Sequence, residues 1–323
     1  MTAPRLAAIA IGRNEGDRLR RCLASLAAEA IPVTYVDSGS TDDSLAIARA
    51  AGATIVELDT RVPFTAARAR NAGFAALPYP RPAYVQFLDG DCALVPGWLP
   101  AATAFLDSHP DYALVTGWRS EIAPETSLYN AICDHEWHRP AGDIATCGGD
   151  MLVRSDAFAA THGFNPAIIA AEDDDFCLRL ARAGHRLHRL PLPMTRHDAA
   201  ITRFAQFWNR ATRAGHAFAE IGRLHPPHFR AEQTRSLLYG ALLPLLALAG
   251  LATTLWLSAA ALALLALSTF RTALGLARDG IALGRAARMA LLFTLTKPAN
   301  AFGMARYHLR RLRGQAPTLI EYK

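Results

Sequence analysis

Two aspartates that flank a glycine, Asp89-Gly90-Asp91, are the residues whose types and spacing point most directly to chemistry. They follow the apolar run 84–88, which is typical of a buried strand, and Gly90 allows the chain to turn just beyond it. In open α/β folds, ligands bind at the carboxyl ends of the strands. Two carboxylates there could hold a hard divalent cation, which in turn could hold a diphosphate. A polar turn whose acids cap the next element is the simpler alternative.

Other polar clusters lie at or near the ends of predicted strands and in a predicted helix. They are Arg13-Asn14-Glu15, Asp37-Ser38-Gly39-Ser40-Thr41-Asp42 and Arg68-Ala69-Arg70-Asn71. The loops at one edge of a parallel sheet can converge on one ligand. Carboxylates suit ribose hydroxyls, base N–H groups and a metal ion, whereas arginines such as Arg13 and Arg70 suit phosphates. The clusters therefore predict a nucleoside-diphosphate site. The sequence lacks a G-x-G-x-x-G after the first strand and a Walker loop, which argues against NAD enzymes and P-loop NTPases.

The elements that must position these residues alternate along residues 5–117. The pattern predicts strands at 6–11, 33–36, 54–58 and 83–88, and helices at 17–30, 44–51 and 65–76. Such alternation implies a mainly parallel sheet with helices on both faces. Residues 118–150 are irregular and rich in Trp, His, Pro and Gly, as expected of a binding loop. Order returns over 151–190, and 201–221 has the pattern of a helix.

With these motifs in this order, the sequence resembles the inverting glycosyltransferases of family 2. The resemblance covers roughly residues 5–220 and implies the GT-A fold, a Rossmann-like α/β architecture with a mixed sheet and helices on both faces. It is carried by Arg13-Asn14-Glu15 after a strand, Asp37-Ser38-Gly39-Ser40-Thr41-Asp42, Ala69-Arg70-Asn71, Asp89-Gly90-Asp91 and Glu172-Asp173-Asp174-Asp175-Phe176-Cys177-Leu178-Arg179-Leu180.

The resemblance implies which residues bind the donor, a sugar joined to a nucleoside diphosphate. Glu15 and Asp37 would contact the nucleoside, and Arg70 would help to hold the donor. Asp89 would contact the ribose or the metal ion. We expect Arg13, which follows the first strand, to lie at the same site.

The resemblance also implies a metal ion and a catalytic base. Asp91, with Asp89, would bind Mg²⁺ or Mn²⁺, which neutralises the departing diphosphate. Asp173 would be the base that takes the acceptor proton. The alternative is that the acids in the first turn of this helix only stabilise the helix dipole. In some GT-A enzymes a histidine downstream of the base completes the metal shell, and His197 is the candidate, a structural histidine being the alternative.

The irregular segment offers candidates for binding a sugar acceptor. Trp118 and Trp137 could stack on the apolar face of a sugar, and Asp150 could accept a hydrogen bond from a hydroxyl. Core packing is the alternative for either tryptophan. We predict an acceptor-binding role for Trp137 and Asp150.

The net charge of +6 comes from arginine, since Lys297 and Lys323 are the only lysines among 323 residues. This balance suits phosphorylated ligands or an anionic membrane face, and no nucleic-acid motif accompanies it. The five cysteines are scattered and include no C-x-x-C pair, which excludes a disulfide framework and a zinc site and favours a reducing, cytosolic setting.

The C-terminal region predicts a membrane hairpin. Residues 236–270 contain no charge, and one helix of that length would measure about 52 Å against a hydrocarbon core of about 30 Å. Two short spans that turn near 253–258 fit better, and arginines at both flanks place both ends in the cytoplasm. Residues 289–296 form an apolar stretch that ends at Lys297-Pro298, and they are predicted to be interfacial or re-entrant. A wholly buried, soluble helix pair is the alternative.

The sequence therefore predicts a glycosyltransferase domain at 1–225 and a membrane hairpin with interfacial helices and a basic tail at 226–323. We expect an inverting, metal-dependent enzyme of the cytoplasmic membrane, facing the cytoplasm, with a lipid-linked saccharide acceptor in surface glycan synthesis. One alternative transfers sugar to polyprenyl phosphate. Two others are a sugar-phosphate nucleotidyltransferase and an inactive glycan-binding membrane protein.

Overall fold

The computed structural model describes residues 4–315 and 320 and divides the chain into two compact units. The first contains the residues up to Glu125 together with Cys133–Ala200, and the second contains Thr126–Ile132 and the residues from Ile201 onward. The helix Phe204–Leu224 is thus grouped with the second unit. The functional division predicted near residue 225 stays a prediction.

The first unit is built on one sheet, which has nine strands within the described residues. The strands are β1 (Leu6–Gly12), β2 (Val33–Asp37), β3 (Thr54–Glu57), β4 (Tyr84–Asp89), β5 (Cys92–Leu94), β6 (Tyr112–Glu121), β7 (Gly142–Asp143), β8 (Met151–Arg154) and β9 (Arg186–His197). The helices up to the end of this unit are α1 (Asp17–Ala27), α2 (Ser44–Ala50), α3 (Ala66–Ala75), α4 (Trp98–Ser108), α5 (Leu128–Trp137), α6 (Ser155–Ala160) and α7 (Glu172–Arg182).

The sheet is mixed, in the order β3-β2-β1-β4-β8-β6-β9-β5, with β7 paired to β9. Strands β3, β2, β1 and β4 run parallel, whereas β8 lies antiparallel to both β4 and β6. The predicted α/β fold with a mixed sheet is confirmed. The parallel pattern inferred from the alternation of strands and helices holds for the first four strands, which helices connect, and not for β8.

Both faces of the sheet are buried, as the continuous apolar run of β1 requires. Alternate residues of a strand point to opposite faces, so Ile9 and Ala10 belong to two different cores. The first core receives residues of α3 and α7, and the second receives the apolar face of α1 and residues of α4. The prediction of helices on both faces is confirmed.

The segment predicted to be irregular contains the helix α5. Ser127 caps this helix, because its Oγ accepts a hydrogen bond from the backbone N–H of Asn130 at 3.0 Å. The residues of α5 include Asn, Asp, His and Trp, which have weak helix propensity, so composition concealed the helix. Packing stabilises it instead, since Ile132 and Cys133 are fully buried.

The second unit is helical from Ile201 onward. It comprises α8 (Phe204–Leu224), α9 (Arg230–Leu237), a π-helical turn (Leu238–Leu242), α10 (Leu243–Ala252), α11 (Leu255–Arg278) and α12 (Leu283–Leu312). The stretch Arg230–Ala252 and the helix α11 are both long and apolar enough to cross a membrane. The chain turns between them at Thr253 and Thr254, where the sequence predicted the turn.

Helix α12 continues through Lys297 and Pro298, the pair at which the apolar stretch 289–296 ends. A proline removes one backbone hydrogen bond from a helix interior, but packing can outweigh that loss. Beyond Pro298, α12 packs against α8, and Gly303 lies so close to it that an added Cβ would be 2.1 Å from the carbonyl oxygen of Thr212. The interfacial placement of residues 289–296 stays a prediction.

Candidate active site

Arg70 is the buried centre of a group of charges at the carboxyl end of β4. Its Nη2 donates to Asp89 Oδ1 and its Nη1 donates to Glu172 Oε1, both at 2.6 Å. Burial alone would lower the pKa of Arg70, but the charges of Asp89 and Glu172 raise it above its ordinary value. Gly149 makes room for this guanidinium, because a Cβ there would lie 1.9 Å from Nη2. Helix α3, strand β4 and helix α7 are thereby fixed to one another.

Arg119 forms a second charged group with Asp150. Its Nη2 lies 2.7 Å from Asp150 Oδ2 and 3.8 Å from Asp89 Oδ2. Asp150 is 1% exposed, and it also accepts hydrogen bonds from the Asp89 backbone N–H at 3.0 Å and from Thr195 Oγ1 at 3.0 Å. The predicted acceptor-binding aspartate is therefore buried, and its contacts hold the backbone of Asp89 and the charge of Arg119.

Asp91 and His197 face each other across neighbouring strands. The His197 Nε2 lies 3.2 Å from Asp91 Oδ2, and both side chains are 7% exposed. Burial first, and then the charge of Arg119, lower the pKa of His197 to about 4, so the imidazole is neutral near pH 7. A neutral imidazole nitrogen next to a carboxylate is a suitable donor set for a divalent transition metal.

Further groups near this pair bear on how well a metal ion would fit. The donor atoms of Asp91, Cys92 and His197 all lie within 4.8 Å of one another. The His197 Nδ1 is buried and has no hydrogen-bond partner, so the ring is not fixed by a bond on that side. Burial, and next the charge of Asp150, raise the pKa of the Cys92 thiol well above its ordinary value, which makes Cys92 a poor ligand. The residues fit a hard or borderline cation held by Asp91 and His197.

Trp137 lies beside both of these groups. The centroid of its ring is 4.6 Å from that of His197 in an edge-on arrangement, and the Arg119 guanidinium carbon is 5.5 Å from the ring centroid. Trp118 instead donates from Nε1 to the carbonyl oxygen of Arg139 at 2.9 Å. The structure thus brings Trp137, and not Trp118, to the candidate metal ligands.

Asp173 lies in the first turn of α7, next to the Arg70 partner Glu172. Burial, followed by the charges of Glu172 and Asp174, raises the pKa of Asp173 well above its ordinary value. Its Oδ1 accepts a hydrogen bond from the backbone N–H of Asp174 at 3.0 Å. A Cβ on Gly148 would lie 3.9 Å from its Oδ2, so the loop before Asp150 runs close to this carboxyl group. A carboxyl group with a raised pKa is suited to accept a proton.

The loops that follow β1 and β2 are joined by hydrogen bonds. The Asn14 backbone N–H donates to Ser40 Oγ at 2.9 Å, and Asn14 Oδ1 accepts from the Thr41 backbone N–H at 2.7 Å. Asp37 accepts from the backbone N–H groups of Gly39 and Ser40, at 2.9 and 2.8 Å. The Tyr35 and Ser40 hydroxyls donate to its other oxygen. Asp37, predicted to contact the nucleoside, therefore stabilises the turn that follows β2.

The remaining donor-site predictions fall on the loop after β1. The carboxylate of Glu15 pairs with Arg18 at 2.8 Å, and the guanidinium of Arg13 lies 4.6 Å from the ring centroid of Phe64. Their predicted roles toward a donor stay predictions.

The sequence analysis missed Arg119 and Glu121, which lie two residues apart on β6. Both oxygens of Glu121 accept backbone hydrogen bonds, from Ala123 and Ala199, and burial raises its pKa above the ordinary value. An alternating pair of charges at the end of an otherwise apolar strand is a signal for two side chains on one face. That signal could have identified them, but the assignment of the segment from 118 onward to a loop concealed it.

Comparisons with known proteins agree with this geometry. Residues 9–158 match the family model described as glycosyl transferase family 2. A pre-mycofactocin glycosyltransferase of Mycobacterium tuberculosis is 28% identical over 229 residues, which is 66% of this chain and 47% of that protein. The chain therefore spans about half the length of this curated relative.

Solved structures show the same fold. The mannosyltransferase PcManGT of Pyrobaculum calidifontis, solved with GDP-Man and Mn²⁺, has 18% identity and a TM-score of 0.61, over 95% of this chain and 88% of that one. S. aureus TarS 1-349 with UDP-GlcNAc has 15% identity and a TM-score of 0.53, over 96% of this chain and 92% of that one. The structural matches show the fold, and the family match shows a glycosyl transferase family 2 domain over residues 9–158, in a chain with a GT-A-like architecture.

Proposed function

We propose that this enzyme transfers a sugar, with inversion, from a nucleoside-diphosphate donor to a hydroxyl group of a lipid-linked saccharide at a membrane. The observation that carries the proposal is the combination of two groups in one unit. These are the Asp91–His197 pair, which suits a divalent metal, and Asp173, whose partly buried carboxyl group has a raised pKa.

The donor class is supported by what the structural neighbours bind. PcManGT was solved with GDP-Man and Mn²⁺, and TarS 1-349 with UDP-GlcNAc. In this chain Asp91 and His197, with Asp89, would hold Mg²⁺ or Mn²⁺. When bound, the ion would neutralise the charge of the departing diphosphate. Arg70 forms an ion pair with the carboxylate of Asp89. Arg119 lies near the same carboxylate and pairs with Asp150, which accepts a hydrogen bond from the Asp89 backbone N–H. We therefore regard both arginines as positioning residues.

The chemical step needs a base but no enzyme nucleophile. Asp173 would take the proton of the acceptor hydroxyl as the oxygen forms a bond to the anomeric carbon. The bond between that carbon and the diphosphate oxygen breaks, and the nucleoside diphosphate leaves with the electron pair. A single displacement of this kind inverts the anomeric configuration. A well-placed base contributes about 10²–10⁴-fold to such a rate.

The acceptor class is supported by the apolar helices of the second unit. Arg230–Ala252 and Leu255–Arg278 could each span a bilayer, and arginines at the outer ends favour a hairpin with both ends in the cytoplasm. A transferase anchored in this way meets lipid-linked acceptors by diffusion in the membrane plane. We place it at the cytoplasmic face of the cytoplasmic membrane, where sugar nucleotides are available.

Polyprenyl phosphate is the alternative acceptor, because a phosphate monoester is already largely ionised near pH 7 and needs no base. The raised pKa of Asp173 favours the hydroxyl acceptor instead. The match to glycosyl transferase family 2 supports a transferase over the nucleotidyltransferase and the inactive glycan-binding protein.

The proposal is tested with solubilised full-length protein, a panel of sugar nucleotides, Mn²⁺ and a bacterial lipid extract. Labelled glycolipid would be isolated, and its anomeric configuration compared with that of the donor by NMR. We expect one donor to give a glycolipid of inverted configuration whose new bond resists mild acid, as a glycoside does. A retained configuration contradicts inversion, and an acid-labile phosphodiester identifies the polyprenyl-phosphate alternative.

A further inference from the structure

The second unit contains a polar cavity of about 280 Å³ between α8 and α12. Its lining includes His216, Glu220, Arg223, Tyr307, Arg310 and Arg311. These residues play no part in the transfer chemistry described above, and the cavity lies wholly within one unit.

Two glycines explain why a cavity forms at this place. A Cβ on Gly215 would lie 2.0 Å from the carbonyl oxygen of Asn300, and one on Gly303 would lie 2.1 Å from that of Thr212. The backbones of α8 and α12 therefore touch at this level. Toward their C-terminal ends, large side chains such as Tyr307 and Arg223 stand between the helices and keep them apart. The space between these side chains is the cavity.

The inner wall carries two buried polar groups that have no hydrogen-bond partner. His216 is 2% exposed and Glu220 is 8% exposed, and neither His216 Nε2 nor Glu220 Oε2 makes a hydrogen bond, although these atoms lie 3.3 Å apart. Leaving a buried polar group unsatisfied costs about 1–3 kcal/mol, so each such group needs an explanation, of which a bound ligand, ion or water is one.

The outer wall is basic. Arg223 donates from Nε to the Tyr307 hydroxyl at 2.6 Å, which fixes the guanidinium and leaves its two Nη groups for another partner. Arg310 and Arg311 lie in the last turn of α12. Arg223 and Arg311 outnumber the one acid among the lining residues, Glu220. Planar guanidinium groups at such a site suit a phosphate.

The cavity lies near the start of the first candidate membrane span. Only the residues from His225 to Phe229 separate the end of α8 from Arg230, where α9 begins. Gln233 of α9 also donates from Nε2 to the carbonyl oxygen of Phe218 on α8 at 2.5 Å. A basic cavity at this end of a membrane span would lie at the height of lipid phosphates. Its volume is just below the range of about 300–1,000 Å³ that whole small ligands occupy, as expected for a head group.

We propose that this cavity binds the phosphate group of a membrane lipid. The inference rests on the membrane placement in the proposed function but not on the donor, the metal ion or the base. The same phosphate chemistry could come from a bulk anionic phospholipid, a prenyl diphosphate or free phosphate, and the experiment separates these sources.

Binding would be measured on the full chain in neutral detergent, without donor or metal ion. The probes are short-chain phosphatidylglycerol, farnesyl diphosphate and inorganic phosphate, with short-chain phosphatidylcholine as the lipid of zero net charge. The test variant is Arg223→Gln with Arg311→Gln. The matched control is Arg306→Gln with Arg313→Gln, which removes the same charge from residues that do not line the cavity. Thermal unfolding and sugar-nucleotide binding check that each variant is folded.

We expect phosphatidylglycerol or farnesyl diphosphate to bind more tightly than inorganic phosphate and phosphatidylcholine. The test variant should weaken that binding at least about tenfold, whereas the control should change it less than about twofold. An equal loss in both variants would show general charge attraction and overturn the proposal. Inorganic phosphate that binds as tightly as the lipids would overturn the lipid assignment.

Discussion

At the scale of single residues, the chemistry depends on carboxyl groups whose environments differ. Asp37 and Asp150 accept several hydrogen bonds within the protein, so they shape the site. Asp173 accepts one from its neighbouring backbone N–H and lies beside two other acids. This contrast supports the proposal that the first pair positions the site and that Asp173 takes the proton.

Replacement of the base tests this assignment. We expect Asp173→Asn to lower kcat about 10²–10⁴-fold and to leave the donor Kd nearly unchanged, because the amide cannot accept the acceptor proton. Asp174→Asn removes the same charge one residue away and should retain most activity. Initial rates and calorimetric donor titrations measure both effects. Near-normal activity of Asp173→Asn would rule out the base and favour the polyprenyl-phosphate acceptor.

The pH dependence of the rate follows from the raised pKa of Asp173. The base works only when deprotonated, so kcat should fall as the pH decreases through that pKa. Because burial and neighbouring acids raise the pKa, the fall should begin well above pH 4, where an ordinary aspartate would still be ionised. A pH–rate profile of the saturated enzyme checks this. A rate that stays constant down to about pH 5 would contradict it.

The sequence identified some residues of the candidate site better than others. Asp89 and Asp91 were proposed as site residues because their short motif follows a strand, and Arg70 because it lies in a polar cluster of a predicted helix. The burial of Asp150 could not be read from the sequence, because it depends on the long-range contacts with Arg119 and Thr195. Arg119 was missed for the same reason, since its partners are distant in sequence.

At the scale of elements, Arg70 ties three pieces of the first unit together. Its guanidinium on α3 bonds to Asp89 at the end of β4 and to Glu172 at the start of α7. Helix α7 carries Asp173, so the position of the proposed base depends on this buried ion pair. The arrangement links the stability of the fold to the geometry of the site.

Removal of the Arg70 charge would leave buried carboxylates without compensation. We expect Arg70→Met to lower the free energy of unfolding by about 3–5 kcal/mol. Arg68→Met on the same helix should change it by less than about 1 kcal/mol, because Arg68 bonds only to exposed backbone carbonyl groups. Denaturant titration of the detergent-solubilised protein measures both values. Equal effects would show that the pair contributes little.

The elements themselves were largely predictable where periodicity was strong. Strands β1 to β4 and helices α1 to α3 lie within a few residues of their predicted positions. The antiparallel β8 and the helix α5 were not predictable, because β8 is placed by pairing with β4 and β6 and α5 by burial. Local patterns do not encode either constraint.

At the scale of the whole molecule, the chain combines a transferase unit with apolar helices that have exposed surfaces. Leu245 on α10 and Leu262 on α11 are 63% and 56% exposed. Such apolar exposure is unfavourable in water and favourable in a bilayer. The uncharged stretch from which the sequence predicts a hairpin contains the turn between α10 and α11, at Thr253 and Thr254.

Membrane insertion can be tested by adding charge to these surfaces. The wild-type protein should stay in the membrane after an alkaline carbonate wash. Leu245→Arg with Leu262→Arg should shift much of it to the soluble or degraded fraction, because each charge costs about 2.5–3.5 kcal/mol near the centre of a span. Leu312→Arg, near the end of α12, should have little effect. Release of the wild-type protein by carbonate would contradict the hairpin.

The most direct test of the central claim is metal-dependent donor turnover. Solubilised protein would be incubated with single sugar nucleotides and a lipid extract, with Mn²⁺ or with chelator, and the released nucleoside diphosphate would be measured. We expect release from one donor that chelator abolishes, and that Asp91→Asn lowers at least about 10²-fold while the exposed control Asp17→Asn does not. Release that persists in chelator and in folded Asp91→Asn would contradict the account.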